Sequence, residues 1–301
     1  MIQEPCYICN GKTEILYEFH TKKQVKYKLL VCRDCSFLRI NPIPDQKTID
    51  GLYKNQHMPK AQLDKEVFSS QFLTSVKKNI LIKPLLQKLR TYIGNRDVPI
   101  LLDIGCSTGW ITNVSRDVGF DVAGLEANAY AAEYGRNKYG IEIIEGYIED
   151  LETDIKYDAI TMFHVLEHIA DPGNMLKQIH GLLKDNGKLL IVIPNSASLG
   201  VSIFKRNYNW NIPHHISFFT PNTISDLLTQ SGFRVLEVKH LISPPLLMYS
   251  YNRFMNKRKR EGKYSFKIKS WIILNALFLP LSLTAKLMGK GEVIAVYGEK
   301  I

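Results

Sequence analysis

Four of the five cysteines fall in two pairs, Cys6-x2-Cys9 and Cys32-x2-Cys35. Each pair sets two thiolates on one tight knuckle, and two knuckles close a tetrahedral site around a d¹⁰ ion such as zinc. The pairs come with no open coordination position and no adjacent general base. The sequence therefore predicts a structural zinc that folds a segment too small to bury its own core. Between the pairs, the alternating stretches Glu14–Phe19 and Tyr27–Val31 read as a hairpin that carries the second knuckle, the layout of a zinc ribbon.

A second constellation is Asp103-Ile-Gly-Cys-Ser-Thr-Gly109, which follows an apolar run and opens a helical pattern. Gly105 and Gly109 let the backbone approach a ligand closely, and the helix start presents free N–H groups. Asp103 stands at a strand end, where doubly wound sheets bind ligands. About twenty residues on, Glu126 ends the next strand and can accept both hydroxyls of a ribose. The glycine spacing is G-x-x-x-G and not the dinucleotide fingerprint G-x-G-x-x-G. Cys106, the fifth cysteine, reads either as a small loop residue or as a thiol lying beneath a bound cofactor.

A third constellation is Trp210-Asn-Ile-Pro-His-His-Ile-Ser-Phe-Phe-Thr-Pro221, two histidines between aromatics ahead of a helix opened by Thr220 and Pro221. Histidine is the side chain that titrates nearest neutrality, so His214 and His215 are candidates for moving a proton. The alternative is that one packs and the other is solvated. Glu167 and His168 are polar residues in an apolar helix start, and read either as functional groups or as residues that cap the helix or satisfy buried backbone groups.

The elements that must hold these residues follow from periodicity. Ile100–Ile104, Asp121–Leu125, Ile141–Ile144, Tyr157–Met162 and Lys188–Ile193 are apolar runs separated by segments long enough for crossover helices. This rhythm predicts a parallel sheet with helices on both faces. Val118-Gly119-Phe120, Tyr139-Gly140-Ile141 and Ser231-Gly232-Phe233 are left-handed glycine helix ends. Upstream, Asp45 to Tyr53 predicts a short amphipathic helix. Gln62 to Ile93 predicts a helical layer interrupted by Pro84.

The motifs resemble those of class I S-adenosylmethionine (SAM)-dependent methyltransferases: Leu102–Gly109, Gly124–Glu126, Glu145–Leu151, Phe163–His168 and Leu183–Asn195, in order. The resemblance runs from about residue 99 to 240 and resumes at 291–300. It implies an α/β, doubly wound, Rossmann-like sheet of seven strands, with Glu292–Tyr297 inserted antiparallel. It also implies that Gly105 and Gly109 border the methionine part of the cofactor, with Asp103 near its amino group and Cys106 in the same loop. Glu126 would hold the ribose, Tyr147 and Ile148 would flank the adenine, and His164 would face the sulfonium. Many relatives carry a small or acidic residue where Tyr147 stands. The histidine segment resembles methyltransferases of cell-surface sugar pathways, several of which carry an N-terminal zinc domain. In their sugar C-methylating members the second histidine, here His215, serves as base, but the preceding position holds Glu where this chain has His214. The expectation is therefore O-methylation of a sugar or lipid-linked glycan in polysaccharide biosynthesis. C-methylation and RNA methylation are the alternatives.

Composition sets the frame. The chain has 301 residues, 45% hydrophobic and 23% charged, with a formal net charge of +10, which excludes disordered, collagen-like and polytopic membrane classes. Residues 1–100 carry 17 Lys and Arg against 9 Asp and Glu, residues 101–238 carry 10 against 17, and residues 239–301 carry 12 against 3. The basic ends are thus the parts that would meet a polyanion. Zinc ribbon, SAM domain and basic ends also describe RNA-modifying enzymes, yet no Asn/Asp-Pro-Pro-Tyr motif for a base nitrogen follows the fourth strand, which argues against nucleic acid. The expected organisation is a zinc-ribbon-like segment over 1–60, a helical layer over 61–98 and the SAM domain over 99–301. That domain carries a basic, apolar insertion at 241–290, where Lys257-Arg-Lys-Arg260 leads into Trp271–Met288. Asn275, Pro280 and Lys286 count against a membrane span. Residues 253–288 are expected to lie on an anionic membrane face, a helical lid or dimer surface being the alternatives. With no apolar leader at the start, the expected location is cytoplasmic, peripheral to the inner membrane face.

Overall fold

The computed structural model describes residues 4–20, 25–45, 48–49, 51, 77–255 and 268–301. Most of the helix expected over Asp45–Tyr53, the part of the helical layer before residue 77 and the basic run 257–260 lie outside the described residues.

The first strands are β1 (Thr13–His20), β2 (Lys26–Cys32) and β3 (Leu38–Asn41), joined as an antiparallel meander. The chain continues through α1 (Lys83–Ile93), β4 (Ile100–Ile104), α2 (Trp110–Asp117), β5 (Asp121–Glu126), α3 (Ala129–Tyr139), β6 (Glu142–Glu145) and β7 (Tyr157–Phe163). Next come α4 (Pro172–Leu182), β8 (Leu183–Pro194), α5 (Leu199–Phe204), a two-residue β9 (Ser217–Phe218), α6 (Pro221–Gln230) and β10 (Phe233–Leu241). A helical pair, α7 (Pro244–Met255) and α8 (Ile268–Leu287), precedes β11 (Val293–Lys300).

The large sheet has the order β10-β11-β8-β7-β4-β5-β6, with β11 antiparallel to both neighbours. This is the seven-stranded mixed sheet expected from the motifs. Its central strands are buried on both faces, as parallel interiors require. Alternate strand residues face two layers. Leu102, Ile160 and Ile191 pack with Leu176 of α4 and Leu227 of α6, whereas Leu101, Ala159 and Leu190 pack with Leu86 of α1 and Val114 of α2. Gly119, Gly140 and Gly232 all adopt positive φ at helix ends, as read from the sequence.

One expected element is missing. The segment between β6 and β7 holds a single 3₁₀ turn, Ile148–Asp150, instead of a crossover helix. It contains Gly146 and four acidic residues and no helical apolar stripe, so it has no face to bury. The uncovered sheet face forms a groove of about 590 Å³ lined by residues such as Val122, Ile144, Tyr147 and Leu151.

β9 belongs to the other sheet. Leu38 pairs with Phe218 and Arg39 with Ser217, so the loop after β8 supplies the fourth strand of the N-terminal sheet. Behind it, Tyr27, Leu29, Leu38 and Ile40 pack with Tyr208, Trp210 and Phe218 in one aromatic-rich core.

Candidate functional site: a cofactor cleft and a histidine cluster

The cysteine knuckles are the first predicted site. Cys6 Sγ lies 3.5 Å from Cys35 Sγ, and Cys9 Sγ lies 3.5 Å from Cys32 Sγ. All four sulfurs fall within 4.8 Å of one another. A disulfide needs about 2.05 Å, so these are not bonded pairs, whereas Zn–S bonds of about 2.3 Å give tetrahedral edges of about 3.8 Å. The donor set fits zinc. Burial opposes ionisation of Cys32, but the N–H groups of Cys35 and Asp34 and the neighbouring thiols outweigh it and bring the thiol to about 7.

The glycine loop joins β4 to α2. Gly105 has φ +67°, and a Cβ there would come within 2.5 Å of Val165 Cγ2. Only glycine allows the loop to lie against the turn that follows β7. Gly109 at φ +70° is the N-cap of α2 and offers no side-chain acceptor to the helix start. Glu126 closes the same cleft from the end of β5. Its Oε2 accepts from Ser107 N at 2.8 Å and its Oε1 from Asn128 N at 2.8 Å, while burial raises its pKa. A desolvated carboxylate locked to the glycine loop, with lone pairs to spare, suits two ribose hydroxyls.

Asp103 is buried at the end of β4. Its Oδ1 accepts from Thr161 on the neighbouring strand and its Oδ2 from Thr112 on α2, both at 2.7 Å. Both oxygens are therefore engaged by the protein, where they tie α2 to the sheet. Burial raises the carboxyl to about 6, against the lowering effect of the two hydroxyls. Cys106 is buried over Gly124, where a Cβ would come within 2.5 Å of its sulfur, and burial pushes its thiol up. Beyond β6, Ile148 is buried and Tyr147 is 45% exposed, next to each other at the cleft edge.

The histidines come together from two segments. His164, at φ +58°, ends β7 in a conformation rare outside glycine, and its half-exposed ring places Nδ1 3.1 Å from Glu167 Oε1. His168 Nδ1 donates to the carbonyl of His214 at 2.8 Å, which fixes the tautomer. The His168 and His215 rings meet edge to face at 4.8 Å. Donor atoms of Glu167, His168 and His215 lie within 4.8 Å of one another, close enough to hold a divalent cation. Burial opposes the charge on Glu167, but the His164 hydrogen bond and the three surrounding imidazoles outweigh it and hold the carboxyl below its usual range. Burial pushes His215 down to about 3 despite the attraction of Glu167, and it also lowers His214.

Glu167 and His168 are residues whose partners a sequence reading does not reveal. They occupy a 3₁₀ turn, Leu166–His168, and their roles arise only when His214 and His215 arrive from a loop some 46 residues later. Glu167 Oε2, Ser196 Oγ, Tyr208 Oη and Ser217 Oγ are buried without a hydrogen-bond partner in the protein. All four residues line one cavity of about 20 Å³ together with His215, Trp210 and Leu246. Unpartnered buried polar atoms are rare and mark a place for a polar ligand group.

Residues 79–238 match the family described as methyltransferase domain, and the chain belongs to that family. The protein is a SAM-dependent methyltransferase. Among curated proteins it is similar to the ubiquinone biosynthesis O-methyltransferase of Rickettsia felis, 24% identical over 55% of this chain and 73% of that one. The protein of the same description from Ruegeria pomeroyi is 29% identical over 48% of this chain and 64% of its own. Among solved structures, an S-adenosylmethionine-dependent methyltransferase from Clostridium acetobutylicum aligns with a TM-score of 0.49 at 12% identity, covering 76% of this chain and 98% of that one.

Proposed function

We propose that the enzyme methylates a hydroxyl oxygen of a sugar or lipid-linked glycan, a step in building cell-surface polysaccharide. The observation that carries this reading is the cavity that four unpartnered polar atoms line together with His215. Its volume admits a group about the size of a water, so a hydroxyl enters and the body of the acceptor stays outside. The curated relatives, which bear the name O-methyltransferase, support oxygen as the acceptor atom.

When bound, SAM supplies an electrophilic methyl group on a sulfonium. The chain's own residues have three tasks: to hold the cofactor at Glu126 and the glycine loop, to align the acceptor, and to take its proton. His215 is neutral at pH 7 and able to accept that proton. The Glu167 carboxylate is a negative charge close to the ring as that proton arrives. His168, oriented by the His214 carbonyl, packs against His215 and fixes its plane.

A second reading is favoured by the unpartnered Glu167 Oε2: Glu167, His168 and His215 hold a divalent cation that polarises the acceptor hydroxyl. Labelled methyl transfer from SAM to lipid-linked sugars, nucleotide sugars and RNA, each with and without a chelator, tests both. Label recovered as an O-methyl sugar, unaffected by chelation, supports the first reading. Loss on chelation, restored by added cation without change in the cysteine-bound zinc, selects the second. Label in RNA alone overturns both.

A further inference from the structure

Helix α8 is apolar around its whole circumference, a pattern that belongs to buried helices or to membranes. Among its described side chains, from Asn275 onward, one side is covered. Ser282 and Ala285 are buried, Ser282 through its hydrogen bonds to Glu292 and the Ser243 N–H, and Phe278 stacks 5.5 Å from Tyr251 of α7. The opposite arc carries Leu277 at 68% exposure, Leu283 at 44% and Leu287 at 88%, with Leu279 and Met288 beside them. At 100° per residue these positions fall within one half of the helix surface. Phe254 and Met255 at the end of α7 are exposed as well. No described helix is long and apolar enough to cross a membrane, so this face has no route to burial by spanning.

Charge identifies the occupant. From Lys239 to Gly291 the sequence holds eleven Lys and Arg and one acid, Glu261. Four of the bases, Lys257, Arg258, Lys259 and Arg260, are adjacent in the stretch that joins α7 to α8. An apolar face whose helices carry Arg253 and Lys286, with Lys290 just beyond and a basic sequence between them, matches a bilayer that bears anionic headgroups, whereas a second copy of this chain would bring like charge against like.

We infer that the outer face of the α7–α8 pair docks the enzyme on an anionic membrane surface. The position serves catalysis, because Leu246 of α7 lines the cavity that holds His215. An acceptor anchored in lipid could present its polar head there without leaving the bilayer. The docking goes beyond the proposed reaction and does not depend on it.

The test is flotation of the full chain with vesicles of neutral phosphatidylcholine and with vesicles containing phosphatidylglycerol, with SAM binding by calorimetry as the control for fold. Binding is expected to the anionic vesicles only and to weaken with salt. Each basic residue near such a surface contributes roughly fivefold in partition, so replacing Lys257, Arg258, Lys259 and Arg260 together with Gln should weaken binding on the order of a hundredfold or more. The triple variant Leu277→Gln, Leu283→Gln, Leu287→Gln should also float poorly while binding SAM as the native chain does. Failure of the native protein to float at low salt overturns the inference, as does flotation insensitive to either variant. A stable dimer in vesicle-free buffer that the leucine variant dissociates also overturns it, assigning the face to a second copy. Methyl-transfer activity enters none of these readings.

Discussion

Replacing Asp103 by Asn separates a structural carboxylate from a cofactor ligand. Asp103 is buried, and its carboxyl stands at about 6 against 3.8 in an ordinary environment. Because the folded value is raised above the unfolded one, the ionised form is disfavoured in the fold. Stability is full below about pH 4 and is lost as pH rises through 6. The two-unit difference corresponds to about 3 kcal/mol at pH 7 and above. Asn keeps one acceptor for a threonine hydroxyl, and its amide can donate to the other hydroxyl, which turns to accept. The variant should therefore be more stable than the native chain by about 1–3 kcal/mol at pH 7.5, and equal to it within about 1 kcal/mol at pH 4.5. Thermal unfolding of both proteins across this range measures the difference, from which loss of zinc at low pH, common to both, largely cancels. At roughly 2–4 °C per kcal/mol, the Tm difference should open by several degrees between pH 4.5 and 7.5. A variant less stable by more than 1 kcal/mol at pH 7.5, or a difference independent of pH, would refute the reasoning.

Two further expectations concern the bound groups. Glu126→Ala should weaken SAM binding by about 2–4 kcal/mol, since a desolvated carboxylate makes charge-assisted hydrogen bonds; calorimetry that finds the affinity unchanged within about threefold would mean the cofactor lies elsewhere. Metal analysis should find one zinc per chain, held by Cys6, Cys9, Cys32 and Cys35, and well under one equivalent in protein whose N-terminal sheet is intact would contradict the site.

The elements legible in the sequence are those whose signals are local. β4 occupies the residues expected, Ile100–Ile104, because an apolar run bounded by Pro99 and a glycine loop leaves little choice. The three glycine helix ends are legible for the same reason. β8 starts five residues earlier than its apolar run, since Leu183–Gly187 extends the strand through polar residues outside that run. β9 could not be read at all. Two residues have no periodicity, and their partner in β3 is some 180 positions away. The site divides along the same line. Gly105, Gly109 and Glu126 announce themselves by spacing within one βαβ unit. The partnership of Glu167 and His168 with His215 is tertiary, fixed by the His168 bond to the His214 carbonyl and by the Ile216 N–H bond to the Glu167 carbonyl.

The convergence of those two segments is the centre of the account, and His215→Gln tests it most directly. Single-turnover transfer of labelled methyl to the best acceptor, with SAM affinity measured in parallel, is the measurement. Loss of a positioned base should cost roughly 10²–10⁴ in rate with SAM binding preserved. His214→Gln, which keeps the carbonyl that orients His168, should act mainly on acceptor affinity. Unaltered turnover in His215→Gln, or a loss matched by loss of SAM binding, would contradict the account.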